Sequence, residues 1–278
     1  DLGHTPFGHA GEDALNECME YYGGFDHNLQ TLRIVMFLEN KYLKFSGLNL
    51  SIETLEGLLK HNGPVEDLDM VDSLIGIRNF KKKIIFDSYP SLEAQISAIS
   101  DDIAYNNHDI QDGIKANLFK LDELIEINFF RDIYKKYKHK INKYNYKIAT
   151  YQIIRDSIDF MIKDLIQNTK FNLNHSKIKN FKDISKTNYL MVNFSKKIKD
   201  SVDEVRYFLK SKMYNNKNVL KKNNNGKLIV KRLFQKIVKN PKKFVPKDKL
   251  NEGKYRGISD FISGMTDRFA INLYNNIK

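Results

Sequence analysis

The chain has 278 residues, 41% hydrophobic and 29% charged, enough to bury a substantial core in one large domain or two smaller ones. It has no run of about 18 apolar residues, which excludes a membrane-spanning helix. Its single cysteine, Cys18, excludes an intrachain disulfide framework and suits a reducing cytoplasm. The net charge of +12 hides an asymmetry: residues 1–115 carry 9 basic against 19 acidic side chains, and residues 116–278 carry 37 against 15. An acidic half suits a cation site, and a basic half suits polyphosphate or single-stranded DNA. The plainer reading is compositional drift, with most of the lysines on an ordinary solvated surface.

Gly and Pro are sparse and strand-like alternation is short, so an all-α fold is expected. Thr5 and Pro6 read as the N-cap and first residue of a helix over about 6–22, which places His9 and Glu12 one turn apart on one face. Gly23-Gly24 breaks it. Helices follow at 26–45 and 51–61, the second stopped by His61-Asn62-Gly63-Pro64. Ser91 is the N-cap expected for a helix over 91–112. One stripe of that helix is Leu92, Ile96, Ile99, Ile103 and Ile110; another is Ala94, Ala98, Asp101, Tyr105, Asp109 and Asp112. The pattern predicts burial on both sides, with the acids facing an internal pocket that supplies a cation or hydrogen-bond donors. Further helices are expected at about 117–138, 147–169, 195–214, 227–240 and 257–277, with loops at 170–192 and at 217–226, where three asparagines run together. Segment 131–147 interleaves Lys and Tyr, a pattern that suits either single-stranded nucleic acid or a solvated helix face.

Residues 1–12 read Asp-Leu-Gly-His-Thr-Pro-Phe-Gly-His-Ala-Gly-Glu. Acids and imidazoles this dense suit metal and phosphate chemistry better than core packing. Further blocks follow in order: Gly-Gly-Phe-Asp-His-Asn-Leu-Gln-Thr-Leu-Arg-Ile-Val from Gly23, Ser-Asp-Asp-Ile-Ala-Tyr-Asn-Asn-His-Asp-Ile-Gln-Asp-Gly from Ser100, and Arg-Gly-Ile-Ser-Asp-Phe-Ile-Ser-Gly-Met-Thr-Asp-Arg-Phe-Ala from Arg256. Shorter blocks run from Tyr207 to Tyr214 and from Val230 to Phe234. The series resembles the deoxyguanosine triphosphate triphosphohydrolase (dGTPase) family of HD-domain phosphohydrolases over almost the whole chain.

The resemblance implies an all-α HD-domain helical bundle with additional C-terminal helices. Residues 1–170 would be the phosphohydrolase core lacking its first helices, and 171–278 a C-terminal helical region packed on it. It implies divalent-metal-dependent hydrolysis of a dNTP, typically dGTP, to deoxynucleoside and inorganic triphosphate. Family members are commonly cytoplasmic homo-oligomers, often hexamers, with nucleotide activators. Asp1 and Asp101 match metal ligands, with Asp102 the rival of Asp101. His9 matches the general acid and Glu12 the carboxylate that orients it. His4 resembles a phosphate contact and His27 another active-site histidine, although a lone histidine on a helix is more often structural. Tyr105 and Asp109 match substrate contacts, the alternative for Tyr105 being a core tyrosine with a satisfied hydroxyl. His108 lies off that face. Lys60 and His61 could meet phosphate or cap a helix end. Asp267 and Arg268 read as a structural ion pair. The family's two histidine ligands would precede Asp1, so an N-terminally truncated member is expected, binding metal weakly and turning over poorly. Two rival readings stand beside this one: a single-stranded nucleic-acid-binding protein using the basic half, and an HD hydrolase of another phosphoester.

Overall fold

The computed structural model describes residues 2–76, 80, 84–142, 144–251 and 253–277, and every α or β element among them is helical. The α-helices are α1 (Gly8–Met19), α2 (His27–Arg33), α3 (Ile52–Leu59), α4 (Leu68–Leu74), α5 (Leu92–Lys115), α6 (Leu121–Leu124), α7 (Asn128–Lys135), α8 (Tyr146–His175), α9 (Phe181–Ile184), α10 (Lys196–Leu209), α11 (Lys217–Lys239), α12 (Lys254–Ser263) and α13 (Asp267–Asn276). The all-α expectation holds. The chain divides into two compact units, residues 1–87 with 221–278, and residues 88–220. The division drawn at residue 170 from the sequence falls inside α8.

The first unit joins the two ends of the chain. Ala14, Leu15 and Met19 recur at helical spacing on α1 and pack with Ile229, Val230, Leu233 and Ile237 of α11 and Ile258 and Ile262 of α12. A second cluster gathers Leu29 and Leu32 of α2, Leu59 of α3, and Val71 and Leu74 of α4. Helix α1 begins at Gly8 and not at Pro6, because Phe7 and Gly8 both take positive φ. The Gly8 N–H donates to the Thr5 carbonyl (3.1 Å), the Thr5 hydroxyl donates to the Gly8 carbonyl (3.0 Å), and Asp267 at the start of α13 accepts the Phe7 N–H (2.9 Å). Asp267 therefore serves a backbone donor, and it forms no ion pair with Arg268 among the described residues, contrary to the sequence reading. The Gly23-Gly24 break is present, with both glycines at positive φ and the turn held by Arg256, which donates to the carbonyls of Tyr22 and Gly24 (3.2 Å each).

Three expected elements are corrected, and Lys60, open in the sequence between phosphate and a helix end, finds its partners in the core. The helix expected to 45 ends earlier: α2 passes into a wider turn over Ile34–Leu38 and stops at Glu39. Lys60 is fully buried, pairs with Glu56 (2.6 Å) and donates to the Ile85 carbonyl (2.6 Å), so its ammonium serves the core. The 217–226 segment is helical. Asn216 accepts the Asn218 N–H at its start, and the buried face from Gly226 to Ile237 propagates the helix back through residues of modest propensity. The helix expected over 257–277 is two, with Thr266 capping α13 through the Phe269 N–H (3.2 Å).

The second unit is built on α5, α8 and α10. Ile110 packs with Ile153, Ile154, Val205 and Leu209, and Ile103 with Met161, Leu165, Ile198 and Val202. Ser91 caps α5 as expected. Its two-sided burial is not observed: Asp101 is exposed, and Tyr105 and Ile96 are each 49% exposed. The buried face instead runs through Ile103, Asn106, Asn107 and Ile110, and the Asn107 amide is satisfied by the Ile103 carbonyl and Ser157. The expected 117–138 helix is the pair α6 and α7, and α8 and α9 occupy part of the expected loop at 170–192. Tyr134, Tyr137 and Tyr146 pack against this unit's core, so those rings do not form an open stacking platform.

Candidate active site

Four of the sequence-selected side chains meet in the first unit. Glu12 projects from α1 one turn after His9, while His27 opens α2 beyond the Gly23-Gly24 turn. Asp26 caps α2 by accepting the Leu29 N–H (2.8 Å), which fixes where His27 enters the helix. Glu12 Oε1 accepts both the backbone N–H of His27 (2.9 Å) and its Nδ1–H (2.7 Å), and Oε2 accepts from His9 Nδ1 (3.1 Å). One carboxylate thus orients two imidazoles through their Nδ1 atoms. The His4 ring lies 4.3 Å from that of His27 and 5.3 Å from that of His9, centroid to centroid. Glu12 and His27 are largely buried, whereas His9 is 66% exposed.

Burial pushes the Glu12 carboxyl upward, but hydrogen bonds from the His27 ring and backbone and from His9 outweigh it and bring it down to about 2. The Glu12 hydrogen bond holds the His27 imidazole above its ordinary value, against an opposing burial effect. His4 is lowered, first by burial and then by the neighbouring His27 and His9. At neutral pH the cluster therefore combines a fixed carboxylate, an imidazole biased toward its cation and one biased toward neutrality. Ligand atoms of His4, His9 and His27 lie within 4.8 Å of one another, as do those of Glu12, Asp26 and His27. Imidazole nitrogen with carboxylate oxygen suits a first-row divalent ion.

The second unit holds the other selected residues on α5. The Asp109 carboxylate accepts from the Tyr214 hydroxyl. Burial raises Asp109, against the lowering effect of Tyr214; burial and the bonds to Asp109 and Tyr105 push Tyr214 upward. Asp102 pairs with Arg206 (2.9 Å). Asp101 belongs to no group of close ligand atoms among the described residues, and Asp1 lies outside the described residues.

A family model for the Phosphohydrolase-associated domain matches residues 192–276. The "Deoxyguanosinetriphosphate triphosphohydrolase-like protein" of Pelagibacter ubique (strain HTCC1062) is 65% identical over 277 residues, covering the whole of this chain and 75% of the relative. Proteins of the same name from Rickettsia felis and Rickettsia prowazekii are 39% and 37% identical, each covering all of this chain and 73% of the relative. The chain belongs to the deoxyguanosinetriphosphate triphosphohydrolase-like family of HD phosphohydrolases.

In this dGTPase-like chain the structure assembles His4, His9, Glu12 and His27 in one unit and pairs Asp109 with Tyr214 in the other. Two contacts escaped the sequence reading. Glu12 was expected to serve His9 alone, and Tyr214 stood in a matched block without a role. Tyr214 lies 105 residues from Asp109, a separation that no local periodicity reveals. No described helix is long and apolar enough to cross a membrane.

Proposed function

We propose that this protein hydrolyses deoxynucleoside triphosphates, dGTP foremost, to deoxynucleoside and inorganic triphosphate. The observation that carries the reading is the Glu12 carboxylate bridging His9 and His27, in a chain 65% identical over 277 residues to a dGTPase-like relative. Water attacks the α-phosphorus, the bond from that phosphorus to the 5′ oxygen breaks, the nucleoside takes a proton on that oxygen, and triphosphate departs with the oxygen of the water. His9, held at Nδ1 by Glu12 and open to solvent, supplies the proton from Nε2. His27, biased toward imidazolium, and His4 beside it face the phosphate charge.

The same imidazoles could chelate an ion, but the Glu12 hydrogen bond that raises His27 favours its service to a phosphate oxygen. His4 and His27 are therefore assigned to phosphate and His9 to the departing oxygen, and Asp1 and Asp101 are the proposed carboxylate ligands on the strength of the sequence pattern. A divalent ion, when bound, would polarise a phosphoryl oxygen and acidify water. Tyr105, Asp109 and Tyr214 form a hydrogen-bonding group suited to a sugar hydroxyl, and the sequence pattern supports the first two as substrate contacts. The same reading carries a cytoplasmic homo-oligomer.

The test is product analysis of the full gene product with each dNTP and with GTP, in Mg²⁺ or Mn²⁺. Equal amounts of deoxynucleoside and triphosphate are expected, fastest from dGTP and abolished by EDTA. Release of pyrophosphate or orthophosphate, or no turnover even of mixed dNTPs, would sink the reading.

A further inference from the structure

Gly3 precedes His4 and meets the first turn of α2 at close range. A Cβ on Gly3 would lie 2.0 Å from the His27 carbonyl oxygen and 2.5 Å from the Thr31 nitrogen, so only glycine permits this approach. The buried Gly3 N–H donates to Thr31 Oγ1 (3.0 Å), and the same hydroxyl donates to the His27 carbonyl (3.0 Å). Thr31 is buried.

A threonine that bonds the carbonyl four residues back is common in helices and by itself means little. Here the hydroxyl also accepts from another segment, so one oxygen ties the peptide before His4 to the residue that carries the second imidazole. The two rings lie 4.3 Å apart, centroid to centroid.

We propose that Thr31 is a positioning residue for the reaction, its hydroxyl setting the placement of His4 against His27. This rests on the reading that these imidazoles face phosphate. Thr31→Val keeps the shape but removes both bonds, and leaves the Gly3 N–H without its acceptor. Thr31→Ser keeps them. Displacing a catalytic group by a fraction of an ångström to an ångström costs up to about 100-fold in rate. Thr31→Val is therefore expected to lower kcat for dGTP about 10- to 100-fold with KM changed by less than about threefold, and Thr31→Ser to stay within about threefold of the parent.

An independent readout is the nuclear Overhauser effect between the His4 and His27 rings in histidine-labelled protein. It should weaken in Thr31→Val and persist in Thr31→Ser. Thr31→Ala removes the same hydroxyl with less bulk and replaces the valine variant should that fail to fold. An unchanged ring contact and unchanged kcat on removing the hydroxyl, or equal impairment in Thr31→Ser, overturns the proposal. If the parent turns over no dNTP, the functional reading falls, while the ring contact still decides whether Thr31 places the histidines.

Discussion

Glu12 carries two partners on two oxygens, and its protonation is linked to the stability of the first unit. Its folded pKa, about 2, lies below the ordinary 4.5, so its stabilising contribution is present above pH of about 4.5 and is lost as pH falls toward about 2. His27 is raised above 6.5, so its contribution is complete below about pH 6.5 and is lost as pH rises through the raised value. Stability from this pair is therefore greatest between about pH 4.5 and 6.5. Urea unfolding of the parent across pH is expected to show that maximum, and Glu12→Gln to flatten it; an equally pronounced maximum in the variant would refute the assignment. At this scale the sequence was partly legible. His9 and Glu12 are three residues apart on one helix, so their pairing follows from helical geometry. The Glu12–His27 bond spans a helix break and two glycines at positive φ, and the spacing alone does not encode it.

Elements are held in register by a few buried polar ties. Arg33, in the last turn of α2, donates through Nε (3.0 Å) and Nη2 (2.7 Å) to the two oxygens of Asp260 on α12, and Gln30 adds a third bond to the same carboxylate (3.1 Å). The pair is almost wholly buried, so losing one partner leaves a charge without compensation. Asp260→Ala is expected to cost about 3–5 kcal/mol in urea unfolding; a loss below about 1 kcal/mol would place the pair in an environment as forgiving as a surface bridge. Asp260 sits in the block from Arg256 that the sequence marked by resemblance, but its partner 227 residues away was not visible there. Helix existence was legible from apolar periodicity, while helix starts and exposed faces were not. Asp267 draws Phe7 out of α1, the buried face of α11 carries helix through three asparagines, and α5 buries Asn106 and Asn107 where its acids had been expected.

At the scale of the molecule, the charge asymmetry of the two sequence halves does not survive folding. The first unit joins residues 1–87 to 221–278 and holds 23 basic against 18 acidic side chains; the second holds 23 against 16. Lys227 pairs with Asp13 (2.7 Å) and Lys231 with Glu17, joining the basic end of the chain to its acidic beginning. A net of −10 over residues 1–115 and +22 over 116–278 thus becomes +5 on the first unit and +7 on the second. What distinguishes this chain is the Glu12-centred imidazole cluster. We propose that this cluster serves water attack at the α-phosphorus, with His9 protonating the departing oxygen. The most direct test is hydrolysis of dGTP in heavy-oxygen water by the full gene product and its His9→Ala variant, with mass spectrometry of both products. Label is expected in triphosphate and none in deoxyguanosine, with the variant at least about 100-fold slower. Label in the nucleoside, or an unslowed variant, would contradict it.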